Sequence, residues 1–109
     1  MHELSITRDI VALVSKHAGG RRVVCVTIEI GELNPIVPDA IQFCFGPCTQ
    51  GTQLEGAELK IRKIAGRGRC KECGRELELN QPYGQCNCGS FNIECISGDQ
   101  MRVKEMEVA

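Results

Sequence analysis

Cys70-Lys71-Glu72-Cys73 and Cys86-Asn87-Cys88-Gly89, two cysteine pairs with twelve residues between them, decide how this chain is read. Two thiols on one tight turn grip an ion from one side, and a second such turn completes a tetrahedral thiolate shell of the kind that holds zinc. Gly74 and Gly89 follow the second cysteine of each pair, where a positive φ is expected to aim backbone amides at the anionic sulfurs. The second knuckle has only Asn87 between its sulfurs, one residue fewer than usual, so Cys95 is an alternative fourth ligand. Four thiolates leave no coordination position for water; such an ion is structural, and its binding energy is folding energy for the module. The rival reading is a disulfide-stapled secreted module, suggested by eight cysteines in 109 residues. The opening residues do not read as a secretory leader, and the cysteines are clustered as ligands are.

Upstream of the knuckles the pattern is that of a small α+β domain. Leu4, Ile6, Ile10, Val11, Leu13 and Val14 recur at helical spacing and predict an amphipathic helix over about 4–16, stopped by Gly19-Gly20. His17 falls in its last turn, where a cation meets the negative end of the macrodipole. Val23 to Ile30 is rich in β-branched residues and predicts a strand with Val24, Val26, Ile28 and Ile30 on the buried face. Cys25 on the other face reads as a small apolar filler.

Pro38-Asp39 opens a second helix carrying Ile41, Phe43, Cys44, Phe45 and Cys48, which Gly46-Pro47 is expected to end or kink early. Cys44 and Cys48 suit core packing, with a soft-metal or redox pair as the alternative. Ala57, Leu59 and Ile61 alternate in a second strand, and Gly66 and Gly68 are expected to loosen the exit into the cysteine module. Within that module, 75–79 and 91–96 are expected to pair as short strands. A last strand runs through Met101 and Val103, with a bulge before Met106.

The fold class that follows is α+β: a small mixed sheet with two helices and an inserted zinc-ribbon-like domain. The expected division is an α/β domain over 1–65, completed by a C-terminal strand over 98–109, with the zinc-binding domain over 66–97.

A net charge of −1, no Trp, one Tyr and three Phe argue against a nucleic-acid platform. The basic run Arg62-Lys63-Ile64-Ala65-Gly66-Arg67-Gly68-Arg69 carries no aromatic residue for stacking bases. No stretch approaches the ~20 apolar residues of a membrane span, and a cytoplasmic protein with reduced thiols is expected. No phosphate loop, Ser/His/Asp set or acid pair argues for a hydrolase or transferase. A thiol redox enzyme using Cys70 and Cys73 is the enzymatic alternative.

The second chemical feature is Met1-His2-Glu3. The α-amine of Met1, the amide and imidazole nitrogens of His2, and the Glu3 amide can lie in one plane around a square-planar ion, a geometry that suits Ni(II) or Cu(II). Asp39 is a candidate extra carboxylate, its alternative role being charge complementarity at the start of the second helix.

Met1-His2-Glu3, Gly31-Glu32-Leu33, Glu55-Gly56-Ala57-Glu58-Leu59, Cys70-Lys71-Glu72-Cys73 and Cys86-Asn87-Cys88-Gly89-Ser90, in this order and spacing, resemble the HypA/HybF family over nearly the whole length. The resemblance implies a non-enzymatic nickel metallochaperone for assembly of the [NiFe] hydrogenase centre. It implies work with a GTPase partner of the HypB type and hand-over to the hydrogenase large-subunit precursor; a homodimer is compatible with it. By the same resemblance Met1, His2 and Glu3 carry nickel, while Cys70, Cys73, Cys86 and Cys88 hold structural zinc. The competing reading is a zinc-ribbon module for protein or nucleic-acid contacts, without a nickel role.

Overall fold

The computed structural model describes residues 2–81 and 83–109; the side chain of His2 lies outside the description, as does Met1. Two helices and six strands follow in the order α1 (His2–Ala18), β1 (Val23–Gly31), α2 (Pro38–Thr49), β2 (Glu58–Ile64), β3 (Gly66–Cys70), β4 (Glu76–Leu79), β5 (Ile93–Ser97) and β6 (Met101–Val108). They form two three-stranded sheets, ordered β2-β1-β6 and β4-β3-β5. Chain packing separates two compact units. One comprises the segment ending at Ile28 with Ile36–Arg62 and Arg102–Ala109; the other comprises Glu29–Pro35 and Lys63–Met101.

The first unit is held by an ordinary apolar core. Ile10, Val11 and Val14 are buried on α1, Ile41 and Phe45 on α2, and Val26 and Ile28 on β1, with Leu54 fully enclosed between α2 and β2 in the sequence. Helix α1 packs on α2, and Gly19 and Gly20, at φ 59° and 90°, end it as its sequence requires. Thr7 is completely buried on α1 and stays satisfied because its hydroxyl donates to the Glu3 carbonyl at 2.6 Å.

Three expectations for this unit are corrected. Leu13 is 45% and Val24 43% exposed, so neither belongs to the buried face, whereas Val23, Cys25 and Thr27 are buried. Residues of β1 are thus buried on both faces, and strict alternation fails for such a strand. Helix α2 runs through Gly46-Pro47 to Thr49. Pro47 lacks the N–H that would donate to the Phe43 carbonyl, yet the helix continues for two residues beyond it, and the Thr49 hydroxyl donates to the Gly46 carbonyl at 2.9 Å. Phe43 adds no bulk to the core, being 82% exposed, while Ile41, Phe45 and Thr49 form the buried stripe at four-residue spacing.

In the second unit, β3 is the centre strand, antiparallel to β4 through Gly66↔Leu79 to Arg69↔Glu76 and antiparallel to β5 through Arg67↔Ser97 to Cys70↔Ile93. The strands β4 and β5, expected to pair with each other, are therefore parted by β3. Gly66 and Gly68 do not loosen the chain but let it pass through a crowded place. A Cβ on Gly68 would stand 2.6 Å from Ile93 Cγ2 and 2.8 Å from Leu79 Cδ1. A Cβ on Gly66 would meet the Leu79 carbonyl and, at 2.7 Å, Leu33 Cγ.

Gly98 occupies the same kind of crossing, with φ 92°, and a Cβ there would strike Gly66 Cα and come within 2.7 Å of the Ala65 carbonyl oxygen. Its own carbonyl accepts from Leu33 N–H at 2.7 Å. Gly98→Ala therefore combines a left-handed backbone with a backbone clash, and is expected to destabilise the protein by at least ~2 kcal/mol. Gly46→Ala, where a Cβ meets nothing within 4 Å, should stay within about 1 kcal/mol of the parent. Thermal unfolding of the two variants measures the contrast, with Gly98→Ala expected roughly 10 °C below the parent.

Candidate metal centre

Strand β3 ends at Cys70, and the backbone then turns through the first knuckle. Cys70 N–H donates to the Arg75 carbonyl at 2.8 Å, Gly74 N–H to the Cys70 carbonyl at 2.8 Å, and Lys71 N–H to the Asn92 carbonyl at 2.9 Å. The second knuckle is fastened by Cys86 N–H to the Ser90 carbonyl at 2.9 Å and Gly89 N–H to the Cys86 carbonyl at 2.8 Å. Gly74 and Gly89 adopt φ 78° and 96°, as the sequence requires. Their amides point at the carbonyl of the first cysteine of each knuckle, not at sulfur. The amides that do reach sulfur are those of Cys73 and Glu72 at Cys70 and of Ser90 at Cys88, so the expected direction holds for the amides beside the glycines and not for the glycines' own. The first knuckle closes four residues after its leading cysteine and the second closes three after, so a tighter turn absorbs the missing residue.

Both turns deliver their sulfurs to one point. The Sγ atoms of Cys70, Cys73, Cys86 and Cys88 all lie within 4.8 Å of one another, with Cys70 to Cys88 at 3.6 Å and Cys73 to Cys86 at 3.5 Å. A disulfide would need ~2.05 Å. A tetrahedral ion with sulfur ligands at ~2.3 Å requires edges of ~3.8 Å, which these separations approach. The four-cysteine cluster fits structural zinc. Cys70 and Cys86 are buried, while Cys73 and Cys88 are exposed. Cys95 stands apart from the cluster, its thiol donating to the Ser97 carbonyl at 3.3 Å.

The electrostatics of the four thiols is that of a shared site. Cys70 is pulled from the ordinary 9.0 down to about 6, chiefly by the backbone N–H of Cys73, with burial opposing and the Glu72 amide assisting. At Cys88 the backbone N–H of Ser90 pulls down, but the neighbouring thiols of Cys70 and Cys86, together with burial, push it up to about 12. One thiolate forms readily and the next is repelled. A divalent cation at the centre removes that conflict. The amides of Cys73 and Ser90 are the functional groups the sequence did not single out; Ser90 directly follows the knuckle glycine, and that position was the available signal.

Of the amino-terminal triad, Met1 and the side chain of His2 lie outside the described residues. Glu3 sits half-buried in the first turn of α1, and Asp39 is exposed in the first turn of α2. Among the free thiols, Cys25 is buried, and Cys44 and Cys48 are half-buried on α2. No helix among the described residues is long and apolar enough to cross a membrane.

Fold and site together define a small α+β metalloprotein with a closed tetrathiolate centre. The family model described as hydrogenase/urease nickel incorporation, metallochaperone, hypA matches residues 1–108. The chain is 54% identical over 108 residues to the hydrogenase maturation factor HypA of Nostoc punctiforme, covering 99% of this chain and 96% of the relative. It is 50% identical over 109 residues to the protein of the same name from Geobacter metallireducens, covering 99% of each. The chain belongs to the HypA family of hydrogenase nickel-incorporation metallochaperones. Solved structures agree in fold. The solution structure of a HypA protein matches with a TM-score of 0.76 at 26% identity, over 100% of this chain and 97% of that one. That of the Ni metallochaperone HypA from Helicobacter pylori matches with 0.70 at 24%, over 97% and 96%.

Purified protein is expected to carry about one zinc per chain. Cys70→Ser or Cys86→Ser should abolish zinc retention and melt the β4-β3-β5 sheet, because the ion's binding energy is that unit's folding energy. Cys95→Ser should retain the metal. Elemental analysis with amide exchange across 66–97 distinguishes these outcomes.

Proposed function

We propose that this chain binds Ni(II) at its amino terminus and delivers it for maturation of the [NiFe] hydrogenase active site, without itself catalysing a reaction. The ligands are the α-amine of Met1, the amide and imidazole nitrogens of His2, and the amide nitrogen of Glu3. Cys70, Cys73, Cys86 and Cys88 hold zinc as a structural ion in a domain over 66–97, and the nickel domain comprises 1–65 with 98–109. The protein works in the cytoplasm with a HypB-type GTPase and gives the ion to the hydrogenase large-subunit precursor. Family membership supports the nickel cargo and the hydrogenase as its destination.

The observation that carries the amino-terminal assignment is where α1 starts. The helix begins at His2, so the amides of His2 and Glu3 belong to the first turn, whose N–H groups have no acceptor within the helix. They can lose protons to a metal without breaking a helical bond. The Glu3 carbonyl is meanwhile engaged by the Thr7 hydroxyl, which fixes the turn. The positive end of the helix macrodipole disfavours a cation there, so the ion is held only as far as deprotonated nitrogens compensate. That suits a cargo that must leave.

Nickel titration of untagged protein against His2→Ala is the test. The imidazole and its chelate ring are lost, and affinity should fall by at least ~10-fold, with the zinc content unchanged. Equal affinities would overturn the assignment and leave the reading of a zinc-ribbon contact module. Because the amine, imidazole and amides must give up protons to bind, nickel affinity should rise with pH and fail below about 6.5, where imidazole is protonated.

A further inference from the structure

Helix α2 carries three parallel stripes at four-residue spacing. Ile41, Phe45 and Thr49 are buried, Ala40, Cys44 and Cys48 are half-buried, and Asp39, Phe43 and Pro47 are exposed. The two thiols therefore lie along the rim of the core, one helical turn apart, with solvent on their outer side. The other cysteines are differently placed: Cys25 is buried, Cys95 donates to the Ser97 carbonyl, and four form the cluster. Neither Cys44 nor Cys48 has a side-chain hydrogen-bond partner among the described residues.

We propose that Cys44 and Cys48 form a second metal site, which takes one Cu(I) ion between the two sulfurs. Their spacing decides against a disulfide. Side chains four apart on a helix hold their Cβ atoms ~5–6 Å apart, whereas a disulfide needs ~3.8 Å. An ion that binds two ligands in line keeps its sulfurs two full bond lengths apart. That is wider than the edge of a tetrahedron, and it bridges one helical turn. Cys48 suits such a bridge, since a helical side chain leans toward the amino end, over the residue four before it.

The identity of the ion follows from the number of ligands. Among the described residues, the four-cysteine cluster is the one place where three or more His, Cys, Asp or Glu ligand atoms lie together, so no such group completes a shell around Cys44 and Cys48. Tetrahedral zinc requires four ligands, and planar Ni(II) requires four as well. Two soft thiolates and nothing more select Cu(I), a thiophilic ion that is stable with two ligands. Each thiol gives its proton to solvent as the ion enters, so affinity should rise with pH. The site stands independently of the amino-terminal nickel assignment.

Untagged, zinc-loaded protein titrated anaerobically with Cu(I), supplied as its bicinchoninate complex, should take up about one copper per chain without losing zinc. X-ray absorption at the copper edge should show two sulfur ligands and no others. Cys44→Ser and Cys48→Ser should each weaken uptake at least ~10-fold. Both should keep the parent's zinc content and circular dichroism, because the side chains sit at the rim of the core. His2→Ala should leave copper uptake unchanged, which separates this site from the amino-terminal nitrogens. No uptake by the zinc-loaded protein, copper that enters only as zinc leaves, copper bound equally when both cysteines are serine, or copper lost with His2→Ala would each overturn the proposal.

Discussion

Four thiols within 4.8 Å of one another can all ionise only if a cation stands among them. That electrostatic condition governs the second unit more than any apolar contact does. Its buried apolar side chains, among the described residues, are Ile30, Leu79 and the two cysteines Cys70 and Cys86, whereas the first unit buries Ile10, Val14, Ile28, Ile41, Phe45, Leu54 and others. A three-stranded sheet of short strands with so little to bury has no adequate drive to fold by exclusion of water. Half of that core is cysteine of the cluster, and a zinc ion bound there would stand in for the missing hydrophobic interior.

The strands of this unit approach closely, backbone against backbone at Gly66 and Gly98 and backbone against the side chains of Leu79 and Ile93 at Gly68. Gly66, Gly68 and Gly98 stand where a Cβ would intrude on a neighbouring chain. The surface ion pairs of Glu76 with Arg67 and Arg69, both at 3.5 Å and half exposed, lie on the adjoining strands β3 and β4 and add little by comparison. Backbone hydrogen bonds fasten the two knuckles around the cysteine cluster, with glycine at these three close approaches.

The sequence made the two helices, β1 and the cysteine cluster legible because each carries a local signal: a helical period with a glycine stop, a β-branched run, and thiols spaced as turn ligands. What escaped depended on distant neighbours. Nothing local told that β3 separates β4 from β5, since Gly66-Arg67-Gly68-Arg69 looks like a flexible linker until Leu79 and Ile93 are seen pressing on it. Leu13 and Val24 fit the apolar patterns of their elements yet face outward, because periodicity marks a face without saying how far its cover extends. Pro47 shows the reverse case, a strong local breaker past which the helix runs on to Thr49, two residues later. Met1 and His2 were conspicuous for their chemistry alone, without any packing signal.

Each knuckle buries one of its sulfurs and leaves the other at the surface, Cys70 with Cys73 in the first and Cys86 with Cys88 in the second. An incoming thiol or chelator therefore meets Cys73 and Cys88 before it can reach their partners. A zinc ion held by the four thiolates would be released first from Cys73 and Cys88, with Cys70 from one loop and Cys86 from the other as the residues last reached. Because those two inner residues come from different turns, they would keep the two loops tied together until the last exchange.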